Sequence, residues 1–142
     1  MNNILKKECI IIQSPLTQKD AVIQEIGRIM TEQGYTTPDY TTAMLEKEKV
    51  FNTAIGYGLA IPHGIETMKS AILKSGLVVM TFPSGLDWGN GQTVKLVIGI
   101  AGKGEEHMDI LSNIAMTCSS DEAVDVLSQS DADAIYSLFA NS

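Results

Sequence analysis

Two histidines stand in the 142-residue chain, and each lies where one kind of segment gives way to another. His63 closes the stretch "GLAIPHG" (58–64), behind Pro62, which fixes φ and has no N–H, and ahead of Gly64, which lets another molecule's atoms come close. His107 follows "IAGKGEE" (100–106) at the expected first turn of a helix, where unpaired backbone N–H groups favour an anion. An imidazole titrates near neutrality and is a competent nucleophile, so beside such a helix start it can accept a phosphoryl group itself. Phosphoryl transfer spreads charge over three oxygens, and N–H donors, hydroxyls and a cation near His63 would provide most of the catalysis; Lys47, Thr53 and His107 are the available candidates. A plainer reading stands beside this one for each histidine: one ring hydrogen-bonded at a strand end, the other on a solvated helix turn. Thr53 has the same double reading, phosphate contact or a hydroxyl that stabilises a turn.

Other chemistries fit less well. The two histidines show no Cys-x-x-Cys, His-x-x-x-His or His-x-His spacing, so no metal is expected. A Ser-His-Asp hydrolase would want a nucleophile elbow of the Gly-x-Ser-x-Gly kind, which "PSGLD" does not provide. Cys9 and Cys118 sit far apart in apolar surroundings without cationic neighbours, and they read as reduced, buried and unreactive thiols of a cytoplasmic chain.

The elements that would hold the histidines follow from periodicity. "ECIIIQ" (8–13) reads as a buried strand. In "LTQKDAVIQEIGRIMTEQGY" (16–35), Thr17 is the expected N-cap with Asp20 three residues on, Val22, Ile26, Ile29 and Met30 form one helical face, and Gly34 is a natural C′ residue. "TPDYTTAMLEKEKV" (37–50) predicts a second helix capped by Thr37, with Pro38 at its first position and its end near Val50. Residues 51–64 read as a loop entering a short strand at 59–61. "GLVVMTF" (76–82) and "VKLVIGIA" (94–101) are near-continuous apolar runs, as in strands buried on both faces, and "PSGLDWGNGQ" between them is dense in turn residues. From Glu105 a helix is expected with Met108, Leu111, Ile114, Ala115 and Cys118 on one face, then two short helices capped by Ser120 and Ser130. Strands interleaved with helices give a single α/β layered domain whose sheet is covered on both faces, and strand-end loops are the default place for its site.

Composition bounds the partners. Apolar residues at 44% and charged residues at 19% suit one compact globular domain over 1–142, with no run near the roughly 18 apolar residues of a membrane span and no signal-peptide core. A net charge of −7 with no basic stripe excludes a nucleic-acid backbone as ligand and suits brief docking with a protein that carries a basic patch.

"NTAIGYGLAIPHG" (52–64) resembles the phosphorylation-site signature of the mannitol/fructose class of enzyme IIA in the bacterial sugar phosphotransferase system, and "VKLVIGIAGKGEEHMDILSNIA" (94–115) resembles that class's second block. With "AMLEKEKV" (43–50) the likeness runs over nearly the whole chain, in order as well as in content, and is closest to the mannitol-specific members. The resemblance implies a central mixed β-sheet flanked by helices, a phosphohistidine at His63, and a stabilising second histidine at His107. An arginine usually stands where this chain has Lys47, followed by the glutamate here numbered Glu48; lysine keeps the charge without the bidentate fork. A family threonine falls on Thr53. The implied partners are HPr, as phosphoryl donor, and enzyme IIB, whose cysteine is the acceptor, with no cofactor and no direct sugar binding. A regulatory module whose phosphorylation signals to another protein is the alternative, and fructose or another polyol is the alternative sugar.

Overall fold

The structure is a computed structural model that describes residues 4–64 and 70–140. Its centre is a five-stranded sheet in the order β1-β4-β5-β3-β2, with β1 at Ile10–Ile11, β2 at Ala54–Gly56, β3 at Leu59–Ala60, β4 at Gly76–Gly89 and β5 at Gln92–Ala101. β1 runs parallel to β4 and β3 parallel to β5, whereas β4–β5 and β2–β3 are antiparallel, so the sheet is mixed. Alternation along the strands splits the core in two. Val78, Met80, Val97 and Ala101 pack with residues of α1 (Lys19–Glu32) and α2 (Asp39–Val50) on one face. Leu77, Val79, Leu96, Ile98 and Ile100 pack on the other with residues of α3 (Glu106–Thr117), α4 (Asp121–Ser128) and α5 (Ala132–Ala140). The expected α/β layering, with a mixed sheet covered on both faces, is what the chain adopts.

Helix α1 buries Val22, Ile26, Ile29 and Met30 as the period predicts, and Gly34 follows its end at φ +77°, a conformation that costs a glycine little. Its N-cap is Gln18, not Thr17, and no cap side chain bonds there. Helix α2 ends at Val50 as expected, but Pro38 takes the cap position with helical dihedrals, and Thr37 contributes its carbonyl to Tyr40 N–H at 3.1 Å. Ser120 caps α4 by accepting from Ala123 N–H, while at α5 the bond to Ala134 N–H comes from Asp131 rather than Ser130.

Three further differences are larger. The expected strand 8–13 shrinks to Ile10–Ile11, preceded by a 3₁₀ turn at Lys7–Cys9. The "PSGLDWGNGQ" stretch is mostly strand: β4 crosses a bulge between Thr81 and Leu86 and continues to Gly89 with Leu86 and Trp88 turned inward. Only Asn90 and Gly91 make the turn, both at positive φ, as a two-residue hairpin that matches the strand twist requires. In α3 the buried face is Ile110 and Ile114 with Cys118 just beyond, and Met108 is 64% exposed, so the expected stripe is partly out of phase. Among the described residues, no helix is long and apolar enough to cross a membrane.

Candidate functional site

His63 stands three residues beyond β3, on a segment tied down from three sides. Ile61 N–H donates to Thr53 O at 3.0 Å, Ile100 N–H donates to Pro62 O at 2.9 Å, and Gly64 N–H donates to the Tyr40 hydroxyl at 2.8 Å. The ring itself is oriented by a bond between Nδ1 and Ile61 O at 2.7 Å. A carbonyl accepts, so Nδ1 carries the proton and Nε2 holds the lone pair. Bonding of one imidazole nitrogen thereby leaves the lone pair on the other, the atom able to act as a nucleophile.

The second histidine arrives from the opposite direction. Beyond β5 the chain passes Gly102–Lys103–Gly104–Glu105 and enters α3, whose second residue is His107. Ser75 braces this loop: its hydroxyl accepts from Lys103 N–H at 2.9 Å and donates to Glu106 Oε1 at 2.8 Å. A Cβ at position 102 would lie 2.7 Å from His107 Cα and 2.8 Å from its Nδ1, so the glycine is what allows the histidine to sit against the strand end. The structure thus brings the two sequence-separated imidazoles together, ring centroids 5.6 Å apart and tilted by 52°. Both are half-buried.

Lys47 and Thr53 are placed differently. Lys47, in the last turn of α2, lays its ammonium over the Phe51 ring, 5.3 Å from the centroid. Thr53 is 1% exposed, and its hydroxyl donates to Glu48 Oε2 while its N–H donates to Glu48 Oε1 at 3.1 Å. This is the turn-stabilising arrangement of that hydroxyl. Glu48, with a side chain 4% exposed, is paired at 2.9 Å with Lys19, which also donates to Trp88 O. A buried carboxylate is tolerated when it is paired and fully hydrogen-bonded, as here.

Tyr40, Ser75 and Gly102 were not singled out from the sequence, and Glu48 entered only as the neighbour of Lys47 in the family pattern. The role of Gly64 also changes: a Cβ there would stand 2.5 Å from Tyr40 Cε1, so the missing side chain makes room for the chain's own tyrosine. Among the described residues, no group of three or more His, Cys, Asp or Glu side chains could hold a metal ion.

Comparison with known proteins shows the family. Residues 3–142 match the family model described as "Phosphoenolpyruvate-dependent sugar phosphotransferase system, EIIA 2". The chain is 43% identical over 124 residues to the mannitol-specific phosphotransferase enzyme IIA component of Bacillus subtilis, covering 87% of each protein. It is 45% identical over 124 residues to the component of that name from Halalkalibacterium halodurans, covering 87% of this chain and 85% of the other. In three dimensions it resembles the Escherichia coli mannitol enzyme IIA solved in complex with phosphorylated enzyme IIB, with a TM-score of 0.89, 28% identity, and 98% of this chain and 100% of that one covered.

Proposed function

The chain belongs to the EIIA 2 family of the phosphoenolpyruvate-dependent sugar phosphotransferase system, and from that premise we propose that it is a phosphocarrier in which His63 takes a phosphoryl group from phospho-HPr and passes it to a cysteine of an enzyme IIB. The observation that carries this reading is the imidazole pair at 5.6 Å with the Nδ1 proton of His63 committed to Ile61 O. Nε2 of His63 attacks phosphorus in line, the P–N bond to the donor's imidazole breaks, and its electron pair leaves with the donor nitrogen. In the second step a thiolate of enzyme IIB attacks, the P–Nε2 bond breaks, and the pair returns to Nε2. His107 stabilises the charge on the transferring group, where a positioned donor acts more strongly than in water. Lys47 adds positive potential from the end of α2, and Thr53 steadies the strand that precedes His63.

Residues 1–142 act as one enzyme IIA domain in this reading. The relatives' names support mannitol as the sugar of the route, with the polyol itself recognised elsewhere, because the patch at His63 must admit two proteins in turn. The work belongs in the cytoplasm, where the unpaired thiols of Cys9 and Cys118 stay reduced. The test is incubation with enzyme I, HPr and phosphoenolpyruvate, followed by mass spectrometry and then by addition of mannitol enzyme IIB. Phosphate on His63 that moves to the IIB cysteine is expected. Phosphate on another residue, or none, overturns the assignment, and phosphate that stays on His63 points to a signalling role.

A further inference from the structure

We propose that Tyr40 is a positioning residue that sets the separation of the two imidazoles, an inference that rests on the assignment of His63 and His107 as the transfer pair. Tyr40 belongs to α2 and is 2% exposed, yet its hydroxyl bonds both histidine-bearing segments at once. It accepts from Gly64 N–H at 2.8 Å, one residue past His63, and donates to Ile100 O at 2.9 Å, two residues before the glycine that lies against His107. The same Ile100 donates its N–H to Pro62 O at 2.9 Å, one residue before His63. The phenol oxygen and that backbone bond close a ring that joins the two segments on either side of His63.

Several features fit this role and not simple packing. A phenol both donates and accepts through one oxygen, and phenylalanine of the same shape can do neither. Burial pushes the Tyr40 hydroxyl up to about 12, so it keeps its proton for Ile100 throughout the range in which imidazole chemistry runs. Gly64 has its Cβ position 2.5 Å from Tyr40 Cε1, so the segment carrying the nucleophile is shaped to fit the ring. The Tyr40 hydroxyl bonds backbone atoms, Gly64 N–H and Ile100 O, and acts through the backbone, which suffices because small misplacements of a reacting pair cost orders of magnitude in rate.

The experiment is Tyr40→Phe, with Tyr35→Phe, a tyrosine buried in the same core cluster, as control. Transfer from phospho-HPr is measured by rapid quench, and the separation of the rings by the NOE between His63 and His107 ring protons in the unphosphorylated protein. Expected for Tyr40→Phe is a fall in kcat of about tenfold with KM for phospho-HPr unchanged, together with a weakened NOE; Tyr35→Phe leaves both at wild-type values. Wild-type kcat in folded Tyr40→Phe, an unchanged NOE, or an equal loss in Tyr35→Phe overturns the proposal. If Tyr40→Phe does not fold, Gly64→Ala, which drives a methyl into the Tyr40 ring, must reproduce both losses, and its retention of wild-type values overturns the proposal. Should the wild-type protein take no phosphate on His63, the function proposed above falls, and the NOE alone decides the role of Tyr40.

Discussion

His63 and His107 reach the same patch by different means. His63 is carried by a strand end in which Ile61, Pro62 and Gly64 are each bonded to another part of the fold, through Thr53, Ile100 and Tyr40, and its own ring is bonded at Nδ1. His107 is carried by the first turn of a helix, behind a loop braced by the Ser75 hydroxyl and fitted to the sheet by the absence of a side chain at Gly102. A nucleophile must present one lone pair in one direction, and several converging bonds achieve that. A charge-stabilising group must lie within reach of the transferring group, and the braced loop with Gly102 sets His107 against the strand end for that purpose. In the function proposed above, the ring held at Nδ1 by Ile61 O attacks and the ring on the helix assists.

Removing the locked ring breaks the comparison outright. His63→Ala should take up no phosphate from phospho-HPr, with an unchanged circular dichroism spectrum, since His63 is half-buried at a strand exit and lies outside both core clusters. Retained phosphate of wild-type stoichiometry, located by mass spectrometry, would reverse it. His107→Ala should slow transfer by about 100-fold, the usual scale for one lost charge-stabilising donor, while the phosphate still appears on His63. Phosphate uptake at the wild-type rate would make His107 a bystander. Gly102→Ala tests the same ring from below: the new methyl meets His107 Cα at 2.7 Å, so the helix start must shift. A fall of about tenfold in transfer and a loss of about 1–3 kcal/mol in urea unfolding are expected. A rate loss of that size without His107 ring-proton shifts in NMR would show that the effect lies elsewhere.

How much of this could be seen in the sequence depends on whether a residue's role is local. Val22, Ile26, Ile29 and Met30 were legible because one helix face is a period, and Gly34 because a C′ conformation is a property of a single residue. His63 and His107 stood out by residue type and boundary position. Strand β4 beyond Thr81 was not legible as strand, because Pro83, Ser84 and Gly85 fill its bulge with turn residues, although Leu86 and Trp88 alternate with exposed Asp87 and the Asn-Gly pair marks a hairpin. The α3 face was misread because Met108 is apolar and exposed, and apolar residues on a surface are common enough to shift a short period. Tyr40 and Ser75 could not be found from spacing at all. Their partners lie 60 and 28 residues away, and what links them is a hydroxyl that only the folded chain aims.

Lys47 sharpens the comparison from outside the histidine pair. Its charge rests on the exposed Phe51 ring, a cation–π contact in reach of solvent, so its field at the patch is screened. Lys47→Met should slow transfer by about two- to threefold at low salt and by less at 0.5 M salt, and Lys47→Arg should keep the wild-type rate. A loss with Met as large as that of His107→Ala would place the ammonium on the phosphoryl group itself.

The smallest effect on transfer is expected where the chain has its other nucleophilic atoms. Cys9 and Cys118 are buried at 0% and 2% exposure, one in each core cluster, and burial pushes the Cys9 thiol up and the Cys118 thiol up to about 12 from an ordinary 9.0. A thiol so placed is protonated and shielded, and the cysteine step of the pathway belongs to the partner. Replacing both by alanine should leave the transfer rate within twofold of wild type while costing about 2 kcal/mol of stability, roughly one methylene-sized group removed at each site. The pH dependence has a definite sign. A group whose folded value is raised stabilises the fold fully below its unfolded value, and that contribution is lost as pH rises toward the folded one. The wild-type protein should therefore lose stability between pH 9.0 and about 12 through Cys118, and the double variant should lose less over that interval in urea titrations at successive pH values. Equal slopes in the two proteins would mean that the Cys118 thiol ionises in the folded chain as it does in the unfolded one, and a lost transfer rate in the folded variant would bring a cysteine of this chain into the relay.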